Sequence, residues 1–173
     1  MTTRSAGFST IDNGALTAGG YLASNILMVI GVAPASTGGG IKLATLVVLL
    51  ASIKTTVSGG DEYSVAKRSI NKKTFNKAVA ILLVYILAIC GALAVISLTD
   101  NQFTLEQLLF ECISALSNVG LTTGITWDLS AAAQLVLIVL MYLGRAGFLC
   151  VVYSLVGPNK VNIRYPDSKI VIG

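Results

Sequence analysis

The sequence contains no histidine. A His-ligated zinc site or a histidine acid–base pair therefore has little to be built from. Charge is scarce too. Twelve basic and eight acidic side chains make up only 12% of 173 residues, too few for an ordinary soluble domain. Three cysteines, Cys90, Cys112 and Cys150, lie far apart inside apolar runs. They read as small buried hydrophobes rather than as a disulfide or metal framework. What is abundant is hydrocarbon: 54% of residues are hydrophobic, and the mean hydropathy is +0.80. That balance points to an integral membrane protein.

The net charge is +4, and its placement carries more than its size. Six basic residues fall between Lys54 and Lys77, and Lys160, Arg164 and Lys169 lie in the tail. From Ser97 to Ser130 there is no Lys or Arg, but there are Asp100, Glu106, Glu111 and Asp128. The positive-inside rule then makes the basic loop and the C-terminus cytoplasmic and turns 97–130 outward. Because topology accounts for these charges, no nucleic-acid partner is expected.

An apolar stretch from Ala15 to Val57 is too long for one straight span, which needs about 20 residues. It is broken by Gly31-Val32-Ala33-Pro34-Ala35-Ser36-Thr37-Gly38-Gly39-Gly40. The run Ile26–Val32 before Ala33-Pro34-Ala35 has the look of a cleavable signal. Against that stand a long, weakly basic lead-in containing Asp12 and an apolar pattern that resumes after the glycines. Residues 58–75 form a hydrophilic loop, and 76–98 an uninterrupted apolar helix. Residues 104–117 are helical in pattern but too short to cross, which suits a re-entrant helix. Thr104 followed by Gln107 is an acceptable capping-box start. A polar, glycine-bearing loop, Ser117–Gly124, follows, and 130–157 then cross inward to end at Gly157-Pro158.

The chain repeats itself. At a constant offset of 113 residues, Ala6-Gly7-Phe8-Ser9-Thr10 lies on Val119-Gly120-Leu121-Thr122-Thr123. At the same offset Ile26–Gly31 lies on Val139–Gly144. The order is loop–span, then span–short helix–loop–span. Non-helical backbone at membrane depth is tolerated only where it is buried in protein or lines a cavity. Cation filters replace an ion's hydration shell with carbonyls of short glycine-containing loops. Gly7 and Gly120 occupy matched positions, and the short helix would aim its negative C-terminal end at an ion. An ordinary outer turn would explain neither the repeat nor the short helix.

Two features lie deeper. The glycines at 38–40 suit either a kinked, closely packed helix or a flexible segment that occludes a pore. They are not a P-loop, because Lys42 does not follow the last glycine directly and is followed by Leu43. Arg145, inside the apolar run 135–156, lies too deep to snorkel easily, with about fifteen residues of helix on its outer side. It is either a functional intramembrane charge or half of a structural ion pair.

At these residues the chain resembles the Trk/Ktr/HKT superfamily of potassium transporters, in particular the membrane subunit of a bacterial Ktr-type system. The matching segments are Thr2–Thr10, Pro34–Lys42, Asn118–Gly124 and Gly144–Gly147, and the tail from Arg164 to Gly173 has the Ktr-type ending. The resemblance implies an all-α integral membrane fold in a bacterial plasma membrane. It implies one and a half span–pore-helix–span repeats of a four-repeat, cation-channel-like architecture. Residues 1–57 would hold the third filter loop and a broken second span, 58–75 a cytoplasmic loop, 76–157 the complete fourth repeat, and 158–173 a cytoplasmic tail. Ser5, Ala6, Gly7 and Phe8, with Asn118, Val119, Gly120 and Leu121, would form two walls of a K⁺ filter. Ser36, Thr37, Gly38, Gly39, Gly40 and Lys42 would belong to a gating loop beneath it, and Arg145 would face the pore there. Implied partners are the remaining N-terminal repeats or an equivalent chain, a second copy of the full subunit, and a cytosolic nucleotide-binding regulatory ring. The lipid bilayer is the surrounding medium. The cargo would be K⁺, with Na⁺ dependence expected and no organic cofactor. Four loops must surround an ion and this chain brings two, so it is not expected to conduct alone. The alternative is a non-conducting piece that scaffolds or sequesters regulatory subunits. No enzyme is expected, since the polar intramembrane residues form no acid–base or nucleophile–base set.

Overall fold

The computed structural model describes residues 3, 6–10, 13–31, 39–57, 64–65, 68–69 and 72–146. Among the described residues five helices carry the fold: α1 (Ala18–Val29), α2 (Leu43–Val57), α3 (Lys72–Thr99), α4 (Leu105–Ser117) and α5 (Ala131–Ala146). A two-residue antiparallel pair, β1 (Ser64–Val65) with β2 (Arg68–Ser69), folds part of the hydrophilic linker back on itself. Expected as 76–98, α3 in fact starts at Lys72 and runs to Thr99. Hydropathy marks where a helix becomes compatible with lipid, not where its hydrogen bonds begin. The lysine-bearing first turns are helical but hydrophilic.

Within α3, Thr74–Thr99 is the one described helix long and apolar enough to cross a membrane, with hydropathy 3.0. Its 26 residues would rise about 39 Å at 1.5 Å each, more than a hydrocarbon core needs. Leu83, Leu87, Val95 and Leu98 remain exposed on it, as suits a surface solvated by lipid. The other apolar helices, α1, α2 and α5, are shorter.

The organising element is α4, which packs against α1, α3 and α5. Leu108 and every residue from Phe110 to Ser117 are buried, so beyond its exposed first turn this helix has no solvated face. On one side Cys112 and Leu116 meet Tyr85 and Ile96 of α3 and Leu137 and Leu140 of α5. On the other, Phe110 and Ile113 meet Tyr21 and Met28 of α1. The Tyr21 and Phe110 rings meet edge to face, with centroids 5.6 Å apart, the arrangement that aromatic quadrupoles favour. The start of α4 is held by Gln107, whose Oε1 accepts from the Thr104 N–H at 3.2 Å and from its hydroxyl at 3.1 Å.

Matched segments of the sequence adopt matched local structures. Helices α1 and α5 begin at Ala18 and Ala131, 113 residues apart. Each is capped by the hydroxyl just before it: Thr17 Oγ1 accepts from Gly20 N at 3.4 Å, and Ser130 Oγ from Ala133 N at 3.3 Å. A short 3-10 turn, Asn13–Ala15 or Ile125–Trp127, precedes each cap. The long apolar stretch is divided as the glycines suggest, into α1 and α2. Where the chain leaves α1 and where it returns are joined. Gly31 N donates to Ile41 O at 3.0 Å, and Ile41 N to Val29 O at 3.2 Å.

Candidate functional site

The loop after α4 begins with Asn118 in the left-handed region (φ 51°, ψ 43°). There its N–H reaches Ala115 O at 3.1 Å, and Val119 N reaches Ser114 O at 3.0 Å. The helix therefore stops at Ser117, and the chain turns out of it. Val119 and Leu121 bury their side chains beside Phe110 and Ile113. Gly120 lies between these two anchors at φ 86°, and Gly7 sits at φ 66°, a region that side chains with a Cβ rarely adopt. The two glycines meet. A Cβ on Gly7 would lie 3.2 Å from both the Val119 and the Gly120 carbonyl oxygens, and one on Gly120 would lie 3.5 Å from Gly7 Cα. Residues far apart in sequence thus come together backbone to backbone, with two adjacent carbonyls at the junction. Asn13 fastens the loops, its Nδ2 donating to Thr122 O at 3.0 Å.

Not every carbonyl of this loop is equally placed. The Leu121 carbonyl accepts from Ser114 Oγ at 2.5 Å, back toward α4. Ala6 and Phe8 are exposed. Ser5 lies outside the described residues, as do Ser36, Thr37 and Gly38.

Behind the loop is a residue that the sequence reading placed only as an outward-facing charge. Glu111, 5% exposed, sits in the middle of α4. Its Oε1 accepts from Thr122 Oγ1 (2.7 Å), Thr123 N (2.8 Å) and Thr123 Oγ1 (3.0 Å). Oε2 accepts from Thr126 Oγ1 at 3.0 Å. The signal was present in the sequence, since an acidic residue inside a short apolar helix at membrane depth is a functional candidate by default.

Two further glycines converge on the C-terminal end of α4. A Cβ on Gly39 would come within 2.6 Å of Ser117 O. One on Gly144 would overlap Leu116 O and stand 2.7 Å from Asn118 Nδ2. Asn118 Nδ2 itself donates to Met141 O of α5 at 3.1 Å, and Tyr85 Oη lies 2.7 Å from Ser117 Oγ. So Gly39 of the interrupted stretch and Gly144 of α5 both abut the helix end from which the loop springs. Gly40 has φ 81°. Lys42 stands just before α2, its carbonyl accepting from Thr45 N and Leu46 N, and its side chain is exposed. Arg145 is exposed on the last turn of α5.

Among the described residues, no group of three or more His, Cys, Asp or Glu side chains could hold a metal ion. What the junction offers a cation is backbone oxygen. A family model for cation transport proteins, TrkH, matches residues 1–161. The Ktr system potassium uptake protein B of Bacillus subtilis is 36% identical over 173 residues, covering 100% of this chain and 39% of that protein. Its namesake from Vibrio alginolyticus is 35% identical over 170 residues, covering 98% of this chain and 37% of the relative. The potassium/sodium uptake protein NtpJ of Enterococcus hirae is 35% identical over 179 residues, covering 100% of this chain and 40% of the relative. The chain therefore spans about two fifths of the length of these relatives.

Proposed function

The chain belongs to the TrkH family of cation transport proteins, and from that membership we propose that it forms part of the pore of a K⁺ uptake system. Its loops at Ser5–Phe8 and Asn118–Leu121 supply two walls of the filter, and K⁺ passes between backbone carbonyls near Gly7 and Gly120. The observation that carries this reading is the meeting of those two glycines, both at positive φ, with the Val119 and Gly120 oxygens beside Gly7. Carbonyl oxygens held at fixed positions can replace the water that a K⁺ ion sheds. The last carbonyls of α4 add the negative end of a helix dipole at the root of the loop.

The remaining parts follow in order. Residues 1–57 bring one filter loop and a broken span, 58–75 a cytoplasmic linker, and 76–157 a span, a re-entrant pore helix and a returning span. Residues 158–173 form a cytoplasmic tail. The segment 34–41, with Lys42, gates from below, and Arg145 is an electrostatic barrier to cations on that side. The other filter walls come from N-terminal repeats outside these 173 residues or from an equivalent chain. The complete subunit pairs with a second copy and is regulated by a cytosolic nucleotide-binding ring. Uptake depends on Na⁺.

The test replaces Gly120 with Ser in the complete transporter and measures K⁺ and Na⁺ uptake in reconstituted vesicles. A filter role predicts lost K⁺ uptake or lost preference for K⁺ over Na⁺. Unchanged flux and preference would leave the chain a scaffold for regulatory subunits.

A further inference from the structure

We infer that one face of α4, carrying Glu111 and Ser114, sets the ion preference of the filter from behind by fixing where its carbonyls point. The inference rests on the pore reading above and names positioning residues for it. Glu111 and Ser114 are three residues apart and so lie on the same side of the helix. Between them they hold every residue from Leu121 to Thr123, and Thr126 beyond. Ser114 Oγ takes the Leu121 carbonyl, while the Glu111 carboxylate takes the Thr122, Thr123 and Thr126 hydroxyls and the Thr123 N–H.

Two observations make this grip more than ordinary packing. First, the loop has open space on its α5 side. A cavity of about 380 Å³ is lined there by Glu111, Ser114, Gly120, Thr122 and Met141 among others, so packing around the buried Val119 and Leu121 side chains still leaves the loop's backbone room to shift. Second, the loop's carbonyls fall into two sets, and Ser114 holds the first oxygen of the second set. Those of Val119 and Gly120 lie against Gly7. Those of the next two residues are engaged elsewhere, Leu121 by Ser114 and Thr122 by Asn13. The row of oxygens left for an ion therefore ends at Gly120. Releasing the Leu121 carbonyl would lengthen that row, and releasing Thr122 and Thr123 would let Gly120 drift. Selectivity depends on the number and placement of such oxygens, so both changes reach the ion without touching it. Glu111 and Ser114 are positioning residues in this sense.

The experiment uses the complete transporter in vesicles and reads the K⁺-to-Na⁺ uptake ratio alongside the amount of folded protein. Glu111→Ala should lower the ratio by about tenfold or more, the scale of one lost hydrogen bond to a charged group. Glu111→Gln, which keeps an acceptor oxygen facing Thr123, should restore most of it. Ser114→Ala should also lower the ratio with folded protein unchanged. The Gly120→Ser variant runs in parallel. If Gly120→Ser leaves both uptake and ratio untouched, the pore reading fails. If Gly120→Ser abolishes the preference while Glu111→Ala and Ser114→Ala keep it, the positioning role is overturned and the pore reading stands. A fall in flux that merely follows the loss of folded protein, at constant ratio, overturns it as well.

Discussion

A methyl group added at Gly144 would land on the Leu116 carbonyl oxygen, whereas one added at Gly91 would meet nothing within 4 Å. The same substitution should therefore have opposite signs at the two sites. Gly144→Ala forces α5 away from the end of α4 and should cost about 1–3 kcal/mol or more. Gly91→Ala, on an exposed face of α3, removes the entropic cost of a mid-helix glycine and should gain about 0.5–1 kcal/mol. Thermal unfolding of the detergent-solubilised transporter checks both. Equal shifts would mean that the α4–α5 contact yields freely. Position 144 was legible in the sequence as half of a repeated glycine, but its reason was not. The carbonyl it makes room for belongs to a residue 28 positions earlier, and only packing brings the two together. Glu111 shows the same limit differently. Its charge fits an outward-facing acidic stretch, which masks its place inside a short apolar helix, and its partners lie 11 to 15 residues ahead.

At the scale of elements, local patterns were readable and relations between elements were not. The capping box at Thr104–Gln107 and the division of the first apolar stretch into α1 and α2 follow from neighbours within a few residues. Burial of α4 on all sides from Phe110 onward does not, because periodicity finds one apolar face and cannot count the helices that will cover the rest. Nor does the junction between α3 and α5 follow from local pattern. Asp100, just past the end of α3, is buried and accepts from the Ser130 hydroxyl at 2.7 Å and from Ser130 N at 3.2 Å. Ser130 in turn caps α5. The carboxylate thus fixes the cap as well as the helix start. Asp100→Ala leaves the Ser130 N–H without this partner and should destabilise by about 1–3 kcal/mol. Asp100→Asn, which keeps one acceptor, should cost less. Hydrogen exchange in the first turn of α5 should accelerate in the Ala variant. Unchanged protection there would show that Ser130 caps the helix unaided.

At the scale of the whole molecule stands the 113-residue repeat, which the sequence displayed because two blocks matched at one offset. Its structural counterpart is a pair of loops, each leading through a 3-10 turn into a hydroxyl-capped helix. The loops touch at Gly7 and Gly120, yet among the described residues they enclose nothing. Phe8, one residue past the first glycine, is 81% exposed, and Trp127 beyond the second loop is 90% exposed. An ion passing the Val119 and Gly120 carbonyls would meet protein oxygen on one side only and would have to keep water on the other. Shedding that water without replacement carries a large desolvation cost, so on the proposed filter reading two walls do not make a selective path. Made by itself in a bacterium lacking its own K⁺ uptake, this chain should therefore not support growth on low potassium, even when it reaches the membrane in quantity. Co-expression with the missing walls should restore growth, and Gly120→Ser should abolish that rescue. Growth from the 173 residues alone would show that copies of this chain close a ring together, and the account of two walls completed by other segments would have to be abandoned.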